Sequence, residues 1–213
     1  MSFTQSDIEA YCEGHSTQLS DVCQEIITYT KENVDMPQML MGQLGCLILK
    51  QFVAISHAQR ILEIGCFTGL TALAMAEAMP STGRVITLDI NAETNKIARS
   101  FWAKSVHGSK IEPLIGPALD SIKKLAGEFE VIFVDADKGN YGNYFEACAS
   151  LVARRGVMIF DNTLWSGSVL ENGNKDEETQ AIKALNDKLV SLKNWEVIQL
   201  PVRDGITIAR RTA

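Results

Sequence analysis

The sequence is poor in the residue types that build disulfide frameworks and metal clusters. Its five cysteines, Cys12, Cys23, Cys46, Cys66 and Cys148, are widely spaced and form no C-x-x-C pair. An odd, scattered set of thiols fits neither a disulfide scaffold nor a zinc ribbon. It implies reduced, buried thiols in a cytoplasmic protein. The three histidines, His15, His57 and His107, lie far apart with no H-x-x-x-H pair, which argues against zinc hydrolysis. No G-x-S-x-G occurs, and with it goes the elbow of a Ser-His-Asp hydrolase. No uninterrupted apolar run reaches about 18 residues, so no membrane span is expected. The start, MSFTQSDIEAYCEGHS, has no basic region followed by an apolar one, so no secretory signal is expected. Positive charge is short as well. The chain has 20 Lys and Arg against 26 Asp and Glu, a net charge of −6 that disfavours binding to a phosphate backbone.

What remains is an ordinary globular composition. The 213 residues are 46% apolar and 22% charged, enough for a single domain with one sizeable core. Its expected layout is a helical extension over residues 1–57 and a Rossmann-like core over 58–213. Residues 4–57 read as helical, with Leu44, Leu47, Ile48, Phe52 and Ile55 on one face. Pro37 is expected to split that region into two helical pieces. Beyond it, strands at 60–64, 84–89, 111–115, 131–134 and 157–160 alternate with helices at 68–79, 92–106, 118–126 and 141–152. A helix at 177–190 and strands at 196–200 and 206–209 complete the chain. This pattern predicts an α/β fold: a doubly wound, mostly parallel, seven-stranded sheet with helices on both faces. The continuous apolar runs VIFV (131–134) and VMIF (157–160) suit central strands. In such sheets ligands bind beyond the carboxyl ends of the strands, which directs attention to the residues following each one.

The first strand runs into Glu63-Ile64-Gly65-Cys66-Phe67-Thr68-Gly69. This is neither G-x-G-x-x-G nor a P-loop, and it reads equally as a ligand-approaching turn and as a plain strand–helix turn. The second strand ends at Asp89, 24 residues after Gly65. An acid there can accept from both hydroxyls of a ribose; alternatively Asp89, like Asn91, caps the next helix. The fourth strand is followed by Asp135-Ala136-Asp137-Lys138 and the fifth by Asp161-Asn162. If these strands are neighbours, about 4.8 Å apart, Asp135, Asp161 and Asn162 converge as oxygen ligands for one hard cation such as Mg²⁺. The alternative is that these acids cap the elements that follow.

These residues carry a resemblance. LEIGCFTG (62–69), TLDIN (87–91), GPAL (116–119), FVDADKGNY (133–141), FDNTLWSGSV (160–169) and LPVRDGITIARR (200–211) resemble the cation-dependent, S-adenosylmethionine-dependent O-methyltransferases. That group includes the caffeoyl-CoA and catechol O-methyltransferases, and the likeness is greatest to its caffeoyl-CoA-like and bacterial branch. It spans residues 39–211. It implies that Glu63 and the Gly65-Cys66 backbone line the methionine side of the cofactor and that Thr71 reaches it. It further implies that Asp89 holds the ribose, that Ala118 lies beside the adenine and that Asp137 sits by the cofactor's amino group. Asp135, Asp161 and Asn162 would hold the divalent cation, Mg²⁺ with Mn²⁺ or Ca²⁺ as alternatives. Lys138 would be the general base, and Asp135, Trp165 and Ser166 would meet the substrate. For Lys138 the alternative is a solvated surface lysine, and for Trp165 a packing anchor. Arg203 departs from the family, which has Gly there, and is expected to point to solvent rather than to an anionic group on the substrate. Which of Met39, Leu40 and Met41 meets the cofactor is left open.

The implied reaction is methyl transfer to a hydroxyl of a vicinal dihydroxy aromatic small molecule. A bound cation activates and orients that hydroxyl, and Lys138 takes its proton. A homodimer in the cytoplasm, without membrane or nucleic-acid partners, is expected by analogy. Competing readings are a tRNA hydroxyuridine O-methyltransferase, opposed by the net charge, and a non-catalytic nucleoside-binding protein, opposed by the complete Lys138 and Asp/Asp/Asn set. An NAD oxidoreductase is opposed by the missing second glycine.

Overall fold

The computed structural model describes residues 6–212. Its helices are α1 (Ser6–Gly14), α2 (Asp21–Asn33), α3 (Gly42–Ile55), α4 (Leu70–Ala78), α5 (Ala92–Trp102), α6 (Ala118–Ile122), α7 (Tyr141–Cys148) and α8 (Glu177–Ser191). The strands are β1 (Arg60–Ile64), β2 (Arg84–Asp89), β3 (Ile111–Ile115), β4 (Phe129–Val134), β5 (Val152–Asp161), β6 (Trp195–Leu200) and β7 (Ile206–Arg211). They form one seven-stranded sheet in the order β3-β2-β1-β4-β5-β7-β6. The first five strands run parallel; β7 is antiparallel to β5, and β6 to β7. The fold is therefore the mixed, doubly wound α/β sheet that the alternating pattern implied.

Period-two side-chain alternation sends each central strand into two cores. Ile61, Val131, Phe133 and Ile159 pack under the layer that includes α2, α3 and α4. Leu62, Ile132, Val134, Met158 and Phe160 pack under the layer of α7 and α8. Strands covered on both faces have no polar side to show, which is why they read as unbroken apolar runs.

Several boundaries differ from the sequence expectation. Among the described residues, the region before β1 holds three α-helices rather than two pieces. Ser20 caps α2, its hydroxyl accepting from the Cys23 N–H, and so breaks the chain before α2 as well as at Pro37. Strand β5 begins at Val152, the last residue of the expected 141–152 helix; Val152 pairs with Phe129, and Arg155 sits at φ 67° before the central run. Residues 37–55 have a mean hydropathy of 1.3, long and apolar enough by length and composition to cross a membrane. In the fold about a third of this segment is buried, with Cys46, Leu49 and Val53 in the core, and Lys50 pairs with Glu77 on α4 at 2.7 Å. All five cysteines are free thiols, with only Cys12 exposed.

Candidate active site

The carboxyl ends of β1, β2, β4 and β5 lie side by side, and each hands over to a turn bearing polar side chains. Gly65 leaves β1 at φ +96°, where a Cβ would lie 1.8 Å from the Asp135 carbonyl oxygen. Only glycine lets β1 and β4 stay joined there, through the Asp135 N–H to the Ile64 carbonyl at 2.8 Å. Gly69, at φ +85°, opens α4 against Ala98 and Trp102.

Asp89 holds this turn. Its Oδ2 accepts the Cys66 and Phe67 N–H groups at 2.9 and 2.8 Å, and its Oδ1 accepts the Asn91 N–H at 2.8 Å. Asp89 is therefore not the helix cap; Asn91 caps α5, accepting from Glu93 and Thr94. The Asp89 carbonyl also accepts the Gly116 N–H, two residues before Ala118 opens α6. Glu63 is wholly buried on β1, accepting from the Thr71 hydroxyl at 2.5 Å and from the Thr87 hydroxyl. Burial pushes its carboxyl up to about 7, against the opposing pull of the two hydroxyls. The Thr30 hydroxyl reaches Thr68 at 2.9 Å and ties α2 to the same turn.

The second cluster follows β4 and β5. Asp135 and Asp161 come directly after the paired residues Val134 and Phe160, so the expected convergence is present. Lys138 is 6% exposed, not a surface lysine. Its Nζ donates to Asp135 Oδ1 at 3.0 Å, Asn162 Oδ1 at 2.8 Å and the Tyr141 hydroxyl at 2.6 Å. The Tyr141 hydroxyl in turn donates to the Asp161 carbonyl at 3.0 Å. Burial and the neighbouring Asp135 raise the pKa of the 2% exposed Asp161 carboxyl, while Lys138 and the Asn162 N–H oppose the shift. The Trp165 ring centre lies 5.8 Å from Lys138 Nζ, and Ser166 is exposed beside it. Asp137 is exposed at the mouth and accepts from Tyr144 and Asn140.

The chain has known relatives. The O-methyltransferase family model matches residues 13–212. The chain belongs to that family, the S-adenosylmethionine-dependent O-methyltransferases. It is 35% identical over 207 residues to "Probable caffeoyl-CoA O-methyltransferase 1" of Dictyostelium discoideum, covering 94% of this chain and 90% of that protein. It is 37% identical over 175 residues to caffeoyl-CoA O-methyltransferase 2 of Petunia hybrida, covering 76% and 72%. Among solved structures it is similar to the SAH-complexed O-methyltransferase of Bacillus cereus, with a TM-score of 0.88 and 26% identity over 96% of this chain and 97% of that one.

In this O-methyltransferase the oxygen set can be tested for a cation. Among the described residues no three His, Cys, Asp or Glu side chains gather at one point. The candidate ligands are two carboxylates and one amide, all hard oxygen donors of the kind Mg²⁺ takes together with water. Lys138 Nζ stands where the Asp135 and Asn162 oxygens meet, so these two donors fit a cation in chemistry, while one Asp161 carboxylate oxygen accepts the Asn162 N–H at 2.8 Å.

Arg203 does not point to solvent. Its Nη2 donates to the Leu40 carbonyl at 3.1 Å, Nη1 lies 3.9 Å from Glu9, and Nε is buried without a partner. Gly42, at φ +73°, leaves room for that guanidinium, since a Cβ there would lie 2.1 Å from Nη1. Leu40 and Met41 are buried and Met39 is exposed. The sequence reading gave no role to Tyr141 or Thr87. Tyr141 closes the quoted FVDADKGNY motif, and Thr87 opens TLDIN, so both were in view. An open groove of about 680 Å³ between α2 and α5 lies away from these strand ends.

Proposed function

We propose that this enzyme transfers the methyl group of S-adenosylmethionine to one hydroxyl of a vicinal dihydroxy aromatic small molecule, with a divalent cation held by Asp135, Asp161 and Asn162. The observation that carries the reading is the buried Lys138, whose Nζ meets Asp135 and Asn162 together. The cofactor lies over the turn 65–69, with Asp89 toward its ribose, Ala118 toward its adenine and Asp137 toward its amino group. When bound, the cation would lower the pKa of an acceptor hydroxyl and orient two adjacent oxygens. Lys138 Nζ takes the hydroxyl proton. The sulfonium S–C bond breaks as the O–C bond forms, leaving S-adenosylhomocysteine and an aryl methyl ether. Trp165 supplies an aromatic wall for the acceptor ring beside Lys138.

The test is a methyl-transfer screen over caffeoyl thioesters, simple catechols and tRNA bearing hydroxyuridine, with and without EDTA. Turnover of a vicinal diol that stops in EDTA and returns with Mg²⁺ is the expected result. Undiminished turnover in EDTA removes the cation from the reading, and methylation of the tRNA alone replaces the acceptor.

A further inference from the structure

The loop leaving β5 concentrates backbone strain. Asn162, Trp165 and Ser166 have φ of 55°, 46° and 53°, followed by Gly167 at 88°. Non-glycine residues stay in that region only where their surroundings over-determine them. Here the surroundings are the turn between β6 and β7. Asp204, 5% exposed, accepts the Ser166 N–H on Oδ1 at 2.6 Å and the Leu164 N–H on its carbonyl at 2.9 Å. The Gly205 carbonyl accepts the Thr163 N–H at 3.1 Å. The Thr163 carbonyl accepts Asn186 Nδ2 and Gln199 Nε2 at 3.0 and 3.1 Å. Every backbone bond named here falls between the residue that meets Lys138 through its amide, Asn162, and the one that faces Lys138 with its ring, Trp165, or immediately after them.

We propose that Asp204 is a positioning residue for methyl transfer: its carboxylate pins the Ser166 N–H directly after Trp165, where the main-chain carbonyl already holds Leu164 directly before it, and so keeps the indole facing Lys138 and shapes the acceptor pocket. The inference rests on the roles proposed above for Lys138 and Trp165. Asp204 acts through the loop, and its carboxylate is needed as an acceptor rather than as a charge.

The test compares Asp204→Ala with Asp204→Asn, which keeps an oxygen at the Oδ1 position. With whichever acceptor the wild type uses best, Asp204→Ala should raise acceptor KM about tenfold or more, and Asp204→Asn should restore most of it. Cofactor Kd should stay within about twofold in both, since the turn 65–69 is held by other residues. The emission of Trp165, read as the difference from matched Trp165→Phe proteins, should shift in Asp204→Ala and return in Asp204→Asn. This arm needs no turnover, so it decides the role of Asp204 even if no diol proves to be a substrate. If Asp204→Ala does not fold, Asp204→Ser is measured instead: its shorter polar side chain carries no acceptor to the Ser166 N–H, so the same rise in acceptor KM and the same shift in Trp165 emission are expected, and an unchanged KM and emission overturn the proposal. An Asp204→Ala protein with unchanged acceptor KM and unchanged Trp165 emission overturns the proposal. So does a loss in KM, cofactor Kd and melting temperature together that asparagine does not rescue, which would make Asp204 a general fold staple.

Discussion

Asp89 Oδ2 accepts the backbone N–H of Phe67 at 2.8 Å, so the acid at the end of β2 fastens the turn that leaves β1. Phe67 sits at φ +50°, a conformation that this bond and its partner from Cys66 help to hold. The residue expected to meet the ribose is thus also the anchor of the surface on which the cofactor would lie.

Asp89→Ala should therefore lower both stability and cofactor affinity. Bonds to a charged acceptor contribute about 1.5–3 kcal/mol, and three N–H groups lose theirs. Asp89→Asn, which keeps one oxygen, should fall between the two. Thermal unfolding and titration calorimetry with S-adenosylmethionine check this; a full-affinity Asp89→Ala protein removes Asp89 from the cofactor site.

Lys138→Met should lower kcat about 10²–10⁴-fold, the usual cost of a lost general base, with little change in cofactor Kd. The remaining activity should climb with pH, as solvent takes the proton, and should recover with acceptors whose hydroxyls are more acidic. Near wild-type kcat at pH 7 would leave Lys138 as a structural ion-pair partner of Asp135.

Glu63 should make stability pH-dependent in a defined direction. Burial raises its pKa in the folded protein from the ordinary 4.5 to about 7. Between those values the folded state holds a proton that the unfolded state has released, so this contribution to stability falls as pH rises through the window. Glu63→Gln carries no titrating group. Its stability relative to wild type should therefore increase from pH 4.5 to 7 and level off above. Urea unfolding of both proteins across that range measures the difference curve, and a flat curve contradicts the assignment.

Gly65→Ala should be among the most damaging small substitutions in the chain. Its φ of +96° is strained for any side chain, and the new Cβ would lie 1.8 Å from a backbone oxygen that cannot move without parting β1 from β4. Strain and overpacking together predict a loss of about 3 kcal/mol or more. Gly139→Ala, with nothing within 4 Å of its Cβ, is the control and should lie close to wild type. Equal stability of the two variants would refute the close approach.

The sheet was legible because its signals are local. RILEI, RVITLD, VIFV and VMIF carry their strand character within a few residues, and the polar turns follow from where each strand ends. The same logic brought Asp135, Asp161 and Asn162 together on paper, since adjacency of β4 and β5 was enough to make their ends meet. The break before α2 was missed because it depends on one side-chain cap at Ser20 inside an otherwise helical pattern.

What the sequence determined by itself was the alternation of elements, their mostly parallel order and the chemistry at the strand ends, because period and residue type are properties of neighbours along the chain. Tertiary structure alone decided which of those polar groups are spent on the protein. Asp89 binds the Cys66–Phe67 backbone 22 and 23 residues away, Arg203 folds onto Leu40 across 163 residues, and Asp204 reaches Ser166 across 38. A hydrogen bond needs its partners within about 3 Å, and over such separations only the packed sheet and its helices bring them that close.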